Sequence, residues 1–305
     1  MSTVFIGTSQ FAAAVLERLA RSDDAARPAL VLTRPDRPRG RGRRLASPPV
    51  ADSARKLDIP LEQPQSINDA DARALISRAL GAAGTVVVCA FGALIKEPLL
   101  SEHDLLNVHP SLLPRWRGAA PIERAIIAGD KQTGVSIMRL TAGLDSGPVC
   151  LAGAEPIRPD DTYGSLSARL QELGGELLVR ALRERPPFIE QPQDGITYAE
   201  KLGPEDRLLD PSRPAVELER VVRALHPHIG ARVALADDAL LGVQRAALLA
   251  DGESDGGAPG LTVHGGRLLL LCTPGTLELL VVQPPGGRAM HAADYLRGHA
   301  APGRR

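Results

Sequence analysis

Asn107 and His109 stand two residues apart in the run NVHPSLLPRWRGAAPI, residues 107–122. Alternate residues of a strand project from one face, so a strand here presents a neutral amide and an imidazole side by side. The amide can donate to an oxygen that gains negative charge, and the imidazole can move a proton near pH 7. Pro110 and Pro114 withhold backbone donors, so the strand must end, or lie at an edge, by Pro110. A third candidate, Asp145, sits in the glycine-flanked loop GLDSG, residues 143–147. A carboxylate brought against His109 would fix the ring's orientation and support its positive charge. Together the three supply an oxyanion donor, a proton carrier and its partner. Each also has a plain structural reading: a strand-end cap, an exposed histidine before proline, and an aspartate closing a turn. Ser111 beside His109 raises a serine-hydrolase alternative, but the G-x-S-x-G elbow is absent.

The elements that must position this set read as α/β. Residues 3–7 (TVFIG) form a short strand, and Phe11, Val15, Leu16 and Leu19 follow at helical spacing. Strands are expected at 29–33 and 85–91, with helical patterns at 49–57 and 69–80 between them. The run TVVVCAF at 85–91 is apolar throughout, which suits a parallel strand covered on both faces. Further strands at 105–111 and 133–140 flank a helical stretch at 119–128, and a helix follows at 162–183. Alternating strands and helices give a doubly wound, mostly parallel sheet, whose ligands bind at the carboxyl ends of its strands. GTSQFA after the first strand lacks the G-x-G-x-x-G spacing of a dinucleotide site.

The second half has another character. Residues 186–198 (PPFIEQPQDGITY) carry prolines and a glycine and read as a linker. An amphipathic helix at 215–225 precedes short apolar runs with glycine-rich breaks, the pattern of a small β-barrel. The expected organisation is an α/β domain at 1–187, a linker at 188–204 and an OB-like domain at 205–305.

The 305 residues contain 36 basic and 36 acidic groups, which removes the simplest argument for a nucleic-acid partner. Charge placement says more. From 34 to 44 the chain reads RPDRPRGRGRR, six arginines against the single Asp36. Its glycines and prolines argue against helix or strand, so the arginines are expected on a loop. Arginine dominates everywhere, with 32 of the 36 basic residues, which makes any cluster less distinctive. Cys89, Cys150 and Cys272 lie far apart, without metal-ligand spacing. His226 and His228 flank Pro227 with no further ligand nearby, so no metal site is expected. No run reaches the ~18 apolar residues of a membrane span, and the start MSTVFIG lacks the basic end of a signal peptide. The expectation is a cytoplasmic protein, and monomer is the default.

Asn107–Ile122 and Gly143–Gly147 resemble the folate-dependent formyltransferases. So do GTSQFA at 7–12, RPDRPRGRGRRLASPPV at 34–50, AFGALI at 90–95, TYAEKL at 197–202 and LVVQPPGGRAM at 280–290. The resemblance implies formyl transfer from 10-formyltetrahydrofolate to the α-amino group of methionyl initiator tRNA, without a metal. It implies Asn107 as donor to the formyl oxygen, His109 as charge stabiliser and proton shuttle, and Asp145 as partner of His109. Ser111, Leu112, Leu113, Pro114, Phe91 and Gly92 would line the folate pocket, and Arg39, Arg41, Arg43 and Arg44 would meet the tRNA. Pro110 departs from the family's usual glycine or alanine, and RALHPHIGAR at 223–232 lacks its usual tryptophan. Two rivals stay open. One is a formyltransferase of a small amine, such as glycinamide ribonucleotide or an amino sugar nucleotide, which would need neither the arginine run nor a second domain. The other is a non-catalytic tRNA-binding protein, which would not need Asn107, His109 and Asp145 together.

Overall fold

The structure, a computed structural model, describes residues 2–22, 27–39, 44–235, 239–250 and 257–299. The chain forms two compact units. The first comprises Met1–Pro121, Gln132–Pro156 and Ser167–Ala199; the second comprises Ile122–Lys131, Ile157–Leu166 and Glu200–Arg305.

The chain begins with β1 (Ser2–Gly7), α1 (Gln10–Arg21), β2 (Pro28–Leu32), β3 (Arg37–Arg39) and β4 (Arg44–Ala46). Next come α2 (Pro49–Lys56), β5 (Leu61–Glu62), α3 (Ala70–Leu80), β6 (Gly84–Cys89), α4 (Leu99–Glu102) and β7 (Asp104–His109). Then follow β8 (Arg117–Gly118), α5 (Pro121–Ala128), β9 (Gln132–Arg139), β10 (Val149–Pro156), α6 (Tyr163–Glu184) and β11 (Tyr198–Ala199).

The first unit is built on a seven-stranded sheet of order β10-β9-β7-β6-β1-β2-β5. β7, β6, β1, β2 and β5 run parallel, while β9 and β10 join antiparallel. Val4, Phe5 and Ile6 in β1, and Val86, Val87 and Val88 in β6, are all buried, because helices cover both faces of the central strands. The strand order reverses at β1, which puts the switch point between the carboxyl ends of β1 and β6. There Thr8 Oγ1 donates to the Phe91 carbonyl at 2.9 Å, tying the two loops together. α1 starts just beyond, its first turn capped by Ser9, whose side chain accepts from the Ala12 N–H at 3.2 Å.

One expectation is corrected here. The arginine run is not purely loop: β3 and β4 pair antiparallel, with Arg37 opposite Ala46, Pro38 opposite Leu45 and Arg39 opposite Arg44. An antiparallel ribbon needs inward N–H groups only at alternate residues, so it admits a proline that a central strand would reject.

The second unit carries α7 (Ala215–Leu225), β12 (Ala231–Ala234), β13 (Leu240–Leu248) and β14 (Gly260–His264). It continues with β15 (Arg267–Leu271), β16 (Thr276–Gln283), β17 (Met290–His291) and α8 (Ala292–Gly298). The strands form an antiparallel half-barrel of order β12-β13-β16-β15-β14, with β17 beside β16. Leu218, Val221, Val222 and Leu225 recur at helical spacing on α7 and are buried in one core with Leu241, Leu268, Leu277 and Tyr295.

All three cysteines are free; burial pushes the Cys89 thiol far up and the Cys272 thiol up to about 11. Among the described residues no helix is long and apolar enough to cross a membrane.

Ile137 is fully buried in the middle of β9. Ile137→Ala should lower stability by about 2–5 kcal/mol, whereas Val216→Ala on the exposed side of α7 should cost less than about 0.5 kcal/mol. Denaturant unfolding of the two variants checks the contrast.

Candidate active site

β7 pairs with β6 on one side and β9 on the other, so Asn107 lies between Val88 and Met138, and His109 lies opposite Ser136. Both side chains are buried, with 8% and 4% of their surface exposed. The Asn107 amide has no hydrogen-bond partner among the described residues. His109 Nε2 lies 2.8 Å from the Trp116 carbonyl oxygen, and Nδ1 lies 3.6 Å from Asp145 Oδ2. Both ring nitrogens thus face oxygens, which fixes the orientation of the ring.

The turn after β7 shapes this pocket wall. The Ser111 N–H donates to the His109 carbonyl at 2.9 Å. Ser111 Oγ donates to the Arg115 carbonyl at 2.6 Å, and Ser136 Oγ donates to the Ser111 carbonyl at 2.8 Å. Ser111 is fully buried and spends its hydroxyl within the turn, so it offers no surface for a ligand and is no nucleophile paired to His109. Leu112, Leu113 and Pro114 are half-buried and keep accessible apolar surface. Phe91 is buried and Gly92 exposed, both just past the switch point.

Asp145 reaches His109 from the loop between β9 and β10, where it holds a positive φ of 43°. Its Oδ2 accepts the Gly118 N–H at 2.9 Å. Gly118 itself has φ 122°, and a Cβ there would stand 2.7 Å from the Ala199 carbonyl oxygen. Only glycine allows both that backbone and that approach.

The segment expected as a linker does more than connect. Ile189 and Val149 exchange two backbone hydrogen bonds of 2.9 Å, Gln191 is buried, and β11 pairs in parallel with β8. Thr197 Oγ1 accepts the Trp116 N–H at 2.8 Å, and the Thr197 carbonyl accepts the Arg117 N–H at 2.9 Å. These residues complete the wall behind His109, and sequence reasoning missed them. The one available signal was TYAEKL at 197–202, which contains Thr197.

Other expected residues fall elsewhere. Arg41 and Arg43 lie outside the described residues, as do the side chains of Arg39 and Arg44. His226 Nδ1 lies 3.2 Å from Gln244 Oε1. His228 Nε2 lies 2.9 Å from Glu123 Oε1 and stacks on Tyr163, so each histidine has its own partner. Among the described residues no group of three or more His, Cys, Asp or Glu could hold a metal. A cavity of about 340 Å³ opens at the amino-terminal ends of β6 and β7, lined by Thr85, Asp104, Arg139, Cys150 and Phe188, away from Asn107 and His109.

Comparison with known proteins matches residues 1–182 to the family Formyl transferase and residues 201–300 to Formyl transferase, C-terminal domain. A methionyl-tRNA formyltransferase of Halorhodospira halophila is 43% identical over 97% of this chain and 95% of its own length. One from Gluconobacter oxydans is 42% identical over 99% of this chain and 98% of its own. Among solved structures, an N-formyltransferase from Helicobacter canadensis, in complex with folinic acid and dTDP-3-aminofucose, superposes with a TM-score of 0.66. At 13% identity, covering 91% of this chain and 98% of that one, it shares the fold.

The Gly118 geometry yields a direct test. Gly118→Ala should cost about 1–3 kcal/mol in backbone strain and push the amide away from Asp145. Denaturant unfolding reads the first effect and a crystal structure of the variant reads the second; an unchanged unfolding midpoint would refute the constraint.

Proposed function

The chain belongs to the formyl transferase family, and from that premise we propose that it moves the formyl group of 10-formyltetrahydrofolate to the α-amino group of methionyl initiator tRNA. The near full-length likeness to methionyl-tRNA formyltransferases, running through both units, carries the reading. The reaction exchanges one carbon–nitrogen bond for another. The methionine amine attacks the formyl carbon, the bond from that carbon to N10 of the donor breaks, and a proton passes from the amine to N10.

In this reading Asn107, whose amide has no partner among the described residues, donates to the formyl oxygen as it gains charge. His109, held between the Trp116 carbonyl and Asp145, stabilises that charge and relays the proton. Asp145 keeps the ring oriented and helps deprotonate the amine. The donor's pterin would lie along the accessible surface of Leu112, Leu113 and Pro114 near Phe91 and Gly92; the apolar walls and the free amide suit it. Arg39, Arg41, Arg43 and Arg44 meet the phosphates of the acceptor end, since guanidinium groups bind phosphate bidentately. A cytoplasmic monomer fits this role in translation initiation. A small-amine formyltransferase remains the rival reading, and the arginine run and second unit favour tRNA over it.

Labelled 10-formyltetrahydrofolate incubated with methionyl initiator tRNA, free methionine and uncharged tRNA tests the reading; label should appear on the aminoacyl-tRNA alone. Asn107→Ala should then lower kcat by about 10²–10³-fold and His109→Ala by about 10²–10⁴-fold, with both variants folded by circular dichroism. Near-parental turnover in both would sink the assignment.

tRNA binding supplies an independent test. If Arg41 and Arg43 each neutralise a phosphate, replacing both with alanine should flatten the slope of log affinity against log salt by about 1.4–1.8. A parental affinity that does not vary with salt would contradict the phosphate contacts.

A further inference from the structure

Gln191 makes four hydrogen bonds from one buried side chain. Its Nε2 donates to the Asp145 carbonyl and to the Gly147 carbonyl, both at 2.8 Å. Its Oε1 accepts from Arg117 Nε at 3.0 Å and from Arg117 Nη2 at 2.7 Å. Both residues are nearly inaccessible, Gln191 with 6% and Arg117 with 7% of their surface exposed. Arg117 immediately precedes Gly118, whose N–H holds the Asp145 carboxylate. The Asp145 loop is therefore gripped twice, at its backbone by Gln191 and at its side chain by Gly118, and the Gln191–Arg117 contact joins the two grips.

The residue types are chosen by hydrogen-bond arithmetic. Two donors and an acceptor are needed on one short side chain, and only a primary amide carries them. A carboxylate would keep Arg117 but face the two carbonyls with an acceptor; an ammonium would lose Arg117. Among the described residues Arg117 has no carboxylate partner. Burying a guanidinium against a neutral amide costs desolvation that no ion pair offsets, so stability alone does not account for the pair. We propose that Gln191 and Arg117 are positioning residues that act through Asp145, setting the carboxylate's distance from His109. Neither touches the reacting atoms.

The kinetic part of this proposal rests on the formyl-transfer reading; its structural part does not. Gln191→Met, near in size but unable to hydrogen-bond, should lower kcat about 10–100-fold, as loss of an outer partner does. KM for both substrates should stay within about twofold, because the substrates meet other residues. Exchange of the Gly118 amide, followed by NMR, should speed up about tenfold while amides of β1 and β6 keep their protection. In an Asp145→Asn background, measured in single turnover, the same substitution should add no further loss. A multiplicative loss in that background, a change confined to KM, or an unchanged Gly118 exchange rate would each overturn the clamp. Should Gln191→Met not fold, Gln191→Glu keeps the Arg117 contact and carries the same measurements. If the parent transfers no formyl group, the functional reading fails, and Gly118 exchange alone still decides whether the clamp exists.

Discussion

The hydrogen bond from the Gly118 N–H to Asp145 Oδ2, 2.9 Å long, ties the run that holds His109 and Gly118 to a loop 27 residues further on. His109 ends β7, Gly118 follows a proline-containing turn, and Asp145 belongs to the loop between β9 and β10. A hydrogen bond to a charged group contributes only about 1.5–3 kcal/mol, too little to assemble the site by itself. The fold must bring its parts together first. β9 runs antiparallel to β7 and leaves the sheet opposite Leu106, so the β9–β10 loop must fold back for Asp145 to reach His109, and β11 fixes β8 so that the Gly118 N–H faces that loop. Asp145 accepts a positive φ in return, and Gly118 a backbone that only glycine tolerates.

Asn107 shows the opposite arrangement. The residue is 8% exposed, and its amide makes no hydrogen bond among the described residues while not being sealed from the surface. Neighbouring His109 has Nε2 at hydrogen-bond distance from the Trp116 carbonyl and Nδ1 facing Asp145. An unsatisfied donor beside a fully oriented ring is what preorganisation for a developing oxyanion requires, because the donor gains its partner only as charge appears. The rigid central strands make this possible: Val88 and Met138 flank Asn107 in register, so the side chain cannot relax toward a substitute acceptor without disturbing packed neighbours.

Asn107 and His109 were legible from sequence because strand geometry has a fixed period, and two residues apart means one face. The helix at 215–225 was legible for the same reason at a different period. β8 and β11 were not: each is two residues long, and they pair across some eighty intervening residues with no periodicity to mark them. Gln191 stood in a proline-rich stretch whose composition signals a turn, while its four hydrogen bonds are properties of tertiary contact alone. The antiparallel sense of β9 was equally hidden, since a buried apolar run reads the same in either direction, and β10, with no buried residue, was not expected as a strand. Ser111 sits inside the shared run, and its hydroxyl is held by the turn after β7, a contact no sequence period marks.

The net charge of zero conceals how the charges are used. Across the chain many arginines are bound to acids at short range: Arg124 to Asp206 at 2.8 Å, Arg223 to Glu219 at 2.6 Å, and Arg169 to Glu155 at 2.5 Å. The run from 34 to 44 is different. Its one acid, Asp36, accepts from Gln63 Nε2 at 2.8 Å and from Ser47 Oγ at 3.2 Å, so its carboxylate is held by neutral donors within the described residues. One carboxylate cannot balance six guanidinium groups, and with a screening length of about 8 Å at physiological salt distant acids contribute little. A net charge of zero therefore says nothing of local balance: six arginines and one acid within eleven residues are an excess in the sequence, whatever the total.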